Sequence, residues 1–189
     1  AGIEILHMAT LVHDDIIDES EKRRGINSTQ NKFGKDIAVF VGDFLLSKIF
    51  NLYLNLLPPK PLEKLSNVVT LICEGEIGQY QNKFKTDITV KQYLKRIRKK
   101  TGILFGFSTY LGAYESNLRH KNLYNLYNVG LNFGMAFQIQ DDILDFTGKE
   151  KKLGKEMEQD IMSGVYTLPV IYLLQDPEEN KIKNISSLQ

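Results

Sequence analysis

The run Asp14-Asp15-Ile16-Ile17-Asp18 puts three carboxylates within five residues, and Arg23-Arg24-Gly25 places two guanidiniums just beyond it. On a helix, Asp14 and Asp18 stand at i and i+4, about one turn apart on one face. Like charges at that spacing repel, so the helix itself gains nothing from them. A divalent cation reverses the sign of that interaction. Oxygen-only donors suit Mg²⁺, which takes one or two carboxylates and completes its shell with water and substrate phosphate. Arg23 and Arg24 offer planar, permanently charged forks that grip phosphate bidentately. Acids that hold a metal, next to bases that hold phosphate, point to a diphosphate site.

A second cluster repeats the form. In Gln138-Ile139-Gln140-Asp141-Asp142-Ile143-Leu144-Asp145, Asp141 and Asp145 are again four apart, and Gln138 precedes Asp141 by three. One acidic pair on a helix is most often a solvated face. Two clusters of one Asp-Asp-x-x-Asp form, each on an otherwise apolar helix, are harder to assign to solvent. Antiparallel helices of a bundle can bring distant positions to one mouth, where the two clusters together could hold several Mg²⁺ ions.

The elements that must position these residues are helical. Ile5, Ala9, Val12 and Ile16 form an amphipathic stripe over 2–18, with Asp14 and Asp18 on the opposite side. Glu19 to Gly34 reads as a polar, glycine-punctuated loop. Ile37 to Leu57 is apolar on most faces and is expected to be a buried helix, ended by Pro58-Pro59. Helical period returns from Leu62 to about Lys85. Thr89-Val90-Lys91-Gln92 fits a capping box that opens the next helix, whose basic run ends in Lys100 and Thr101. Asn117 to His120 reads as a break, Lys121 to Phe146 as a long helix, 147–163 as a loop, and Thr167-Leu168-Pro169 as a helix start. No convincing strand pattern or fixed-period repeat is present. The fold class expected is all-α, an antiparallel helical bundle.

Composition agrees with a single domain over 1–189. Of the 189 residues, 42% are apolar and 25% charged, ordinary for a globular chain. The 24 basic and 23 acidic residues nearly cancel, so no global field points to nucleic acid. One cysteine, Cys73, excludes an internal disulfide framework, fits a reducing, cytoplasmic setting, and is expected to be a small core residue. No apolar run long enough to span a membrane is expected. The chain looks trimmed at its N-terminus, since it opens without Met directly into an amphipathic pattern.

With both aspartate motifs and the arginine pair in view, the chain resembles the trans-polyprenyl (isoprenyl) diphosphate synthases, and most closely the long-chain, heptaprenyl type. Gly42-Asp43-Phe44-Leu45, Gly75-Glu76-Ile77-Gly78-Gln79, Lys100-Thr101, Gly154-Lys155, Asp160, Gly164 and Thr167-Leu168-Pro169 continue the match in family order, over nearly the whole chain. The resemblance implies the isoprenoid synthase bundle, truncated here at both ends. It also implies Mg²⁺-dependent condensation of an allylic diphosphate with isopentenyl diphosphate after ionisation of the allylic C–O bond. Asp14, Asp18 and Asp141 would hold the metals, with Asp15, Asp142 and Asp145 as outer or secondary ligands. Arg23, Lys100 and Lys155 would contact the allylic diphosphate, and Arg24 isopentenyl diphosphate. Thr101 and Gln138 would lie near the carbocation. His7 and His13 read as packing or supporting groups, because hard Mg²⁺ disfavours imidazole. Gly75, Glu76 and Gln79 have a bland reading as packing and buried hydrogen-bonding positions, and the basic residues around Lys100 as solvated.

Several features depart from the family or set its variants apart. The upstream Gly-Gly-Lys, Arg and His of the family have no counterpart here, and Val165 stands where many relatives carry lysine. The stretch alone is therefore expected to turn over little. Relatives with short products carry bulky aromatics one helical turn before the first motif, where this chain has the small Ala9 and Thr10, so a long product, around C30 to C45, is expected. Rival readings are a farnesyl or geranylgeranyl synthase, a terpene cyclase, or a noncatalytic synthase subunit. Cyclases typically lack the second Asp-Asp-x-x-Asp and the arginine pair, and noncatalytic subunits usually lose one motif. A homodimer, or a heteromer with a small regulatory subunit, and peripheral membrane association for product release are the expected assemblies.

Overall fold

A computed structural model describes residues 1–147, 161 and 163–175. The chain divides into two compact units, Ala1–Leu65 and Ser66–Gln189. It is all-α, as expected; among the described residues the strands are confined to one two-residue ribbon.

In the first unit, helix α1 (Gly2–Ile17) packs along a longer helix, Lys35–Leu56. The stripe α1 buries is Gly2, Leu6, Ala9, Val12 and Asp15, while Ile5 and Ile16 are only half-buried. Small residues decide this difference from the expected stripe. Gly2 lies against the Tyr53 ring, and Gly42 lies against the His13 ring, in each case so closely that a Cβ would overlap it. Close approach along the glycines rotates α1 about its axis relative to what its large apolar residues suggest.

The polar stretch between these helices is more ordered than a loop. Strands β1 (Lys22–Arg23) and β2 (Ile26–Asn27) pair antiparallel, with Arg23 opposite Ile26. Arg24 and Gly25 form the two-residue turn, with φ of +51° and +82°, the mirror-type geometry that matches strand twist. Glycine suits the second position because a side chain there would be strained, although space around it is open. Helix α2 (Thr29–Phe33) follows, capped by buried Ser28, whose Oγ accepts from the Asn31 N–H at 3.2 Å and donates to the Ser20 carbonyl at 2.6 Å.

The longer helix, α3 (Lys35–Leu56), corrects two expectations. It is not buried all round: Ala38, Gly42, Ile49 and Tyr53 are inside, but Phe40, Phe44, Leu54 and Leu56 are exposed. With 22 residues and a mean hydropathy of 1.6, it is also long and apolar enough, by length and composition, to cross a membrane.

Helix α4 (Pro59–Gln81) begins at Pro59, slightly earlier than read, because Pro59 and Pro61 fall in a first turn that needs no N–H partners. Cys73 on α4 is exposed, not a core residue. In the second unit, the Thr89–Gln92 capping box opens α5 (Val90–Ile97) as its sequence requires. A single π-helical turn, Arg98–Gly102, then leads into α6 (Ile103–Glu115). Asn117, at φ +56°, closes α6, and α7 (His120–Thr147) runs back along it. Gly102 and Gly106 on one side and Gly130 and Gly134 on the other let the two backbones approach. The last helix among the described residues, α8 (Leu168–Gln175), completes a core of Ile88, Tyr93, Ile97 and Ile171. Gly154, Lys155 and Asp160 lie outside the described residues.

Candidate active site

Successive helical residues turn by about 100°, so the first and fifth aspartates of a motif share a face while the second points elsewhere. In the first motif Asp14 is half-buried and Asp18 exposed, whereas Asp15 falls on the buried stripe of α1 at 3% exposure. Arg23 donates to Asp15 Oδ1 through Nε at 2.9 Å and also through Nη2. Gln30 Nε2 donates to the Asp15 carbonyl at 2.6 Å and to that of Ser20 at 3.0 Å. Asp15 thus ties the ribbon and α2 back to the end of α1. Arg24 stands exposed at the ribbon's turn. On the α1–α3 face, His13 Nε2 lies 3.3 Å from Asp43 Oδ1, which gives the Gly42-Asp43 pair a packing role and a polar one.

The second motif has the same layout. Asp141 and Asp145 are exposed, and Asp142 is 7% exposed. Both Asp142 oxygens are engaged: Gln138 Nε2 donates to Oδ1 at 2.9 Å, and the Tyr93 hydroxyl donates to Oδ2 at 2.7 Å. Burial pushes the Asp142 carboxyl above its ordinary range, and the bonds from Gln138 and Tyr93 partly oppose that by favouring the charged form. Burial, and then the hydrogen bond to Asp142, raise the Tyr93 hydroxyl far above its ordinary value, so it stays protonated and serves as the donor.

Lys100 and Thr101 both sit on the π turn, a kind of irregularity that often marks functional positions. Lys100 Nζ lies 2.9 Å from Glu76 Oε1 and 3.0 Å from Oε2. Thr101 Oγ1 donates to Gln138 Oε1 at 2.8 Å. Gly75 makes room for the turn, since a Cβ there would sit 3.0 Å from the Lys100 nitrogen. Gly75-Glu76 therefore supports Lys100. Two further members of the basic run are not simply solvated, since Lys99 pairs with Glu74 and Arg96 donates to the Tyr166 carbonyl at 2.7 Å, whereas Lys95 and Arg98 are exposed as read. Sequence reasoning singled out Glu76 as a hydrogen-bonding position without naming Lys100 as its partner, and missed Tyr93 and Gln30; the capping box placed Tyr93 on α5 but could not show what it faces.

Ala9 is fully buried, and Thr10 is half-buried with its hydroxyl donating to the His7 carbonyl at 2.8 Å. Among the described residues, no three His, Cys, Asp or Glu side chains converge as a ready-made cation cage. The donor set nevertheless fits Mg²⁺, which is bound by one or two carboxylates together with water and substrate phosphate.

In each motif the second aspartate is buried and bound by protein donors, and the frame that carries both motifs is all-helical. The chain belongs to the polyprenyl synthetase family, whose model matches residues 1–189. Heptaprenyl diphosphate synthase component 2 of Bacillus subtilis (strain 168) is 40% identical over 186 residues, covering 98% of this chain and 53% of that protein. The geranylgeranyl diphosphate synthase of Sulfolobus acidocaldarius is 37% identical over 190 residues, covering 97% of this chain and 58% of that protein. Among solved structures, heptaprenyl diphosphate synthase from Staphylococcus aureus matches with a TM-score of 0.91 at 38% identity, covering 100% of this chain and 59% of that one. The chain spans about half the length of the curated relatives it matches.

Proposed function

We propose that the full-length protein condenses an allylic diphosphate with isopentenyl diphosphate to make a long all-trans polyprenyl diphosphate, heptaprenyl being the first choice. The observation that carries this reading is the shared layout of the two motifs. In each, the second aspartate is buried and held by protein donors, while the fifth is exposed to solvent. Asp14, Asp18 and Asp141 are the proposed metal ligands, with Asp145 as a secondary one. When bound, Mg²⁺ would neutralise charge developing on the leaving diphosphate.

The protein's own groups do the rest. Lys100 reaches a phosphate by exchanging part of its bond to Glu76, and Arg23 by exchanging part of its bond to Asp15. Both cations are thereby kept extended before substrate arrives. Lys155 is proposed as a third cation on the same diphosphate. Arg24, exposed at its turn, is proposed for isopentenyl diphosphate. The Thr101 and Gln138 oxygens supply fixed dipoles for positive charge on the allylic carbon. The departing diphosphate then takes the proton lost from the adduct.

Small residues before the first motif support a long product. Because Ala9 is fully buried, a larger side chain there would overpack α1, so Thr10→Phe is the sharper probe. The name "component 2" of the Bacillus relative supports a heteromer with a small regulatory subunit, the alternative being a homodimer. A cytoplasmic enzyme that touches the membrane only to release product completes the proposal. The test incubates full-length protein with Mg²⁺, radiolabelled isopentenyl diphosphate and an allylic primer, then sizes the products. No incorporation, with or without a partner subunit, overturns the reading; an unchanged product distribution in Thr10→Phe overturns the assignment of chain length.

A further inference from the structure

Thr101, Gln138, Asp142 and Tyr93 form one hydrogen-bonded chain in which the donors run toward Asp142. Thr101 Oγ1 donates to Gln138 Oε1 at 2.8 Å, Gln138 Nε2 to Asp142 Oδ1 at 2.9 Å, and the Tyr93 hydroxyl to Asp142 Oδ2 at 2.7 Å. A glutamine amide has two ends of opposite polarity, and nothing within the side chain chooses between them. An ionised carboxylate only accepts. Gln138 must therefore turn its NH₂ to Asp142 and present its carbonyl on the Thr101 side.

Packing keeps this arrangement in register. Gln138 and Asp142 are i and i+4 on α7, one turn apart. Tyr93 is fully buried on α5, and the Arg96 guanidinium lies 5.4 Å over its ring while bonding the Tyr166 carbonyl. With both oxygens taken and little surface left, Asp142 is built to orient a neighbour, not to ligate a cation.

We propose that Tyr93 and Asp142 are positioning residues that hold the Gln138 amide with its carbonyl dipole toward the positive charge formed on the allylic carbon. This rests on the prenyltransferase reading. Reversing the amide would aim two N–H donors at that charge and raise the barrier to ionisation without altering the grip on diphosphate.

The test uses full-length enzyme carrying Asp142→Asn, which lets the amide flip, or Tyr93→Phe, which removes one hydroxyl with little change in volume. The readouts are kcat, KM for the allylic diphosphate, thermal unfolding, and affinity for two diphosphate analogues. One analogue carries an ammonium at the reacting position and the other an uncharged isostere. Asp142→Asn is expected to lower kcat roughly tenfold, and to reduce the preference for the ammonium analogue by a similar factor, for loss of one charge-linked hydrogen bond. Tyr93→Phe shifts both in the same direction by a smaller factor. KM and affinity for the uncharged analogue stay close to wild type. If both analogues weaken together, or if kcat and preference are unchanged in a folded Tyr93→Phe enzyme, the positioning role is overturned. A wild-type enzyme without turnover, with or without a partner subunit, instead overturns the prenyltransferase reading, and this inference with it.

Discussion

Replacing Arg23 with methionine separates its two roles, as an anchor for Asp15 and as a ligand for substrate. Asp15 is 3% exposed and takes both the Nε and Nη2 bonds of Arg23 on one oxygen. Removing one partner of a fully buried ion pair costs about 3–5 kcal/mol. The Arg23 side chain is 39% exposed, so water reaches the pair, and a loss of about 2 kcal/mol is expected for Arg23→Met. Asp15→Asn keeps an acceptor for Arg23, which can also hydrate, and costs about 1 kcal/mol. If the two groups act mainly on each other, the double variant costs about 2 kcal/mol, a coupling of about 1 kcal/mol. Urea unfolding of the full-length protein without substrate, at neutral pH, measures all three. Arg23→Met unfolding at the wild-type free energy, or a cycle with no coupling, would refute the anchor and leave Arg23 a ligand alone.

Three further outcomes follow from local geometry. Thr89→Ala removes the Thr89 half of the capping box, whose bonds are 3.2 and 2.7 Å, and should cost about 1 kcal/mol in chemical unfolding. Gly75→Ala places a Cβ 3.0 Å from the Lys100 nitrogen and 3.1 Å from the Lys99 Cβ. It should cost about 1 kcal/mol by overpacking and, by shifting the π turn, raise KM for the allylic diphosphate; an unchanged KM would show the turn to be tolerant. The hydrogen bond from Lys99, and then its charge, hold Glu74 below its ordinary value of 4.5. Its folded pKa being depressed, the pair's stabilisation is present above pH 4.5 and is lost as pH falls through the folded value. An NMR titration should find the Glu74 midpoint below 4.5, and Lys99→Met should bring it back.

Much of the helical frame could be read because its signals are local. The Thr89–Gln92 capping box, the prolines at 58, 59 and 61, and the break near Asn117 each act through a few neighbouring residues, and the structure places helix boundaries at all of them. The ribbon at 22–27 was missed because two-residue strands carry no alternation to detect; Arg24-Gly25 was its one signal, as a dipeptide suited to positive φ. The exposure of Phe40 and Phe44, and of Cys73, was not legible either, since an apolar helix shows its composition but not what lies beside it.

The sequence by itself determined the residue types and spacings on which the proposed chemistry rests. Two Asp-Asp-x-x-Asp runs, an arginine pair, and Lys100-Thr101 follow from residue types and from the helical period, which sets i and i+4 on one face regardless of context. Tertiary structure alone decided which of those acids face water. Asp15 and Asp142 are adjacent in sequence to acids on the solvent side, yet Arg23 and Gln30 hold one, and Tyr93 and Gln138 the other. The physical reason is that burial is a property of neighbours brought close by packing, here Arg23 against Asp15 and Tyr93 on α5 against Asp142 on α7, and spacing within one segment does not encode them.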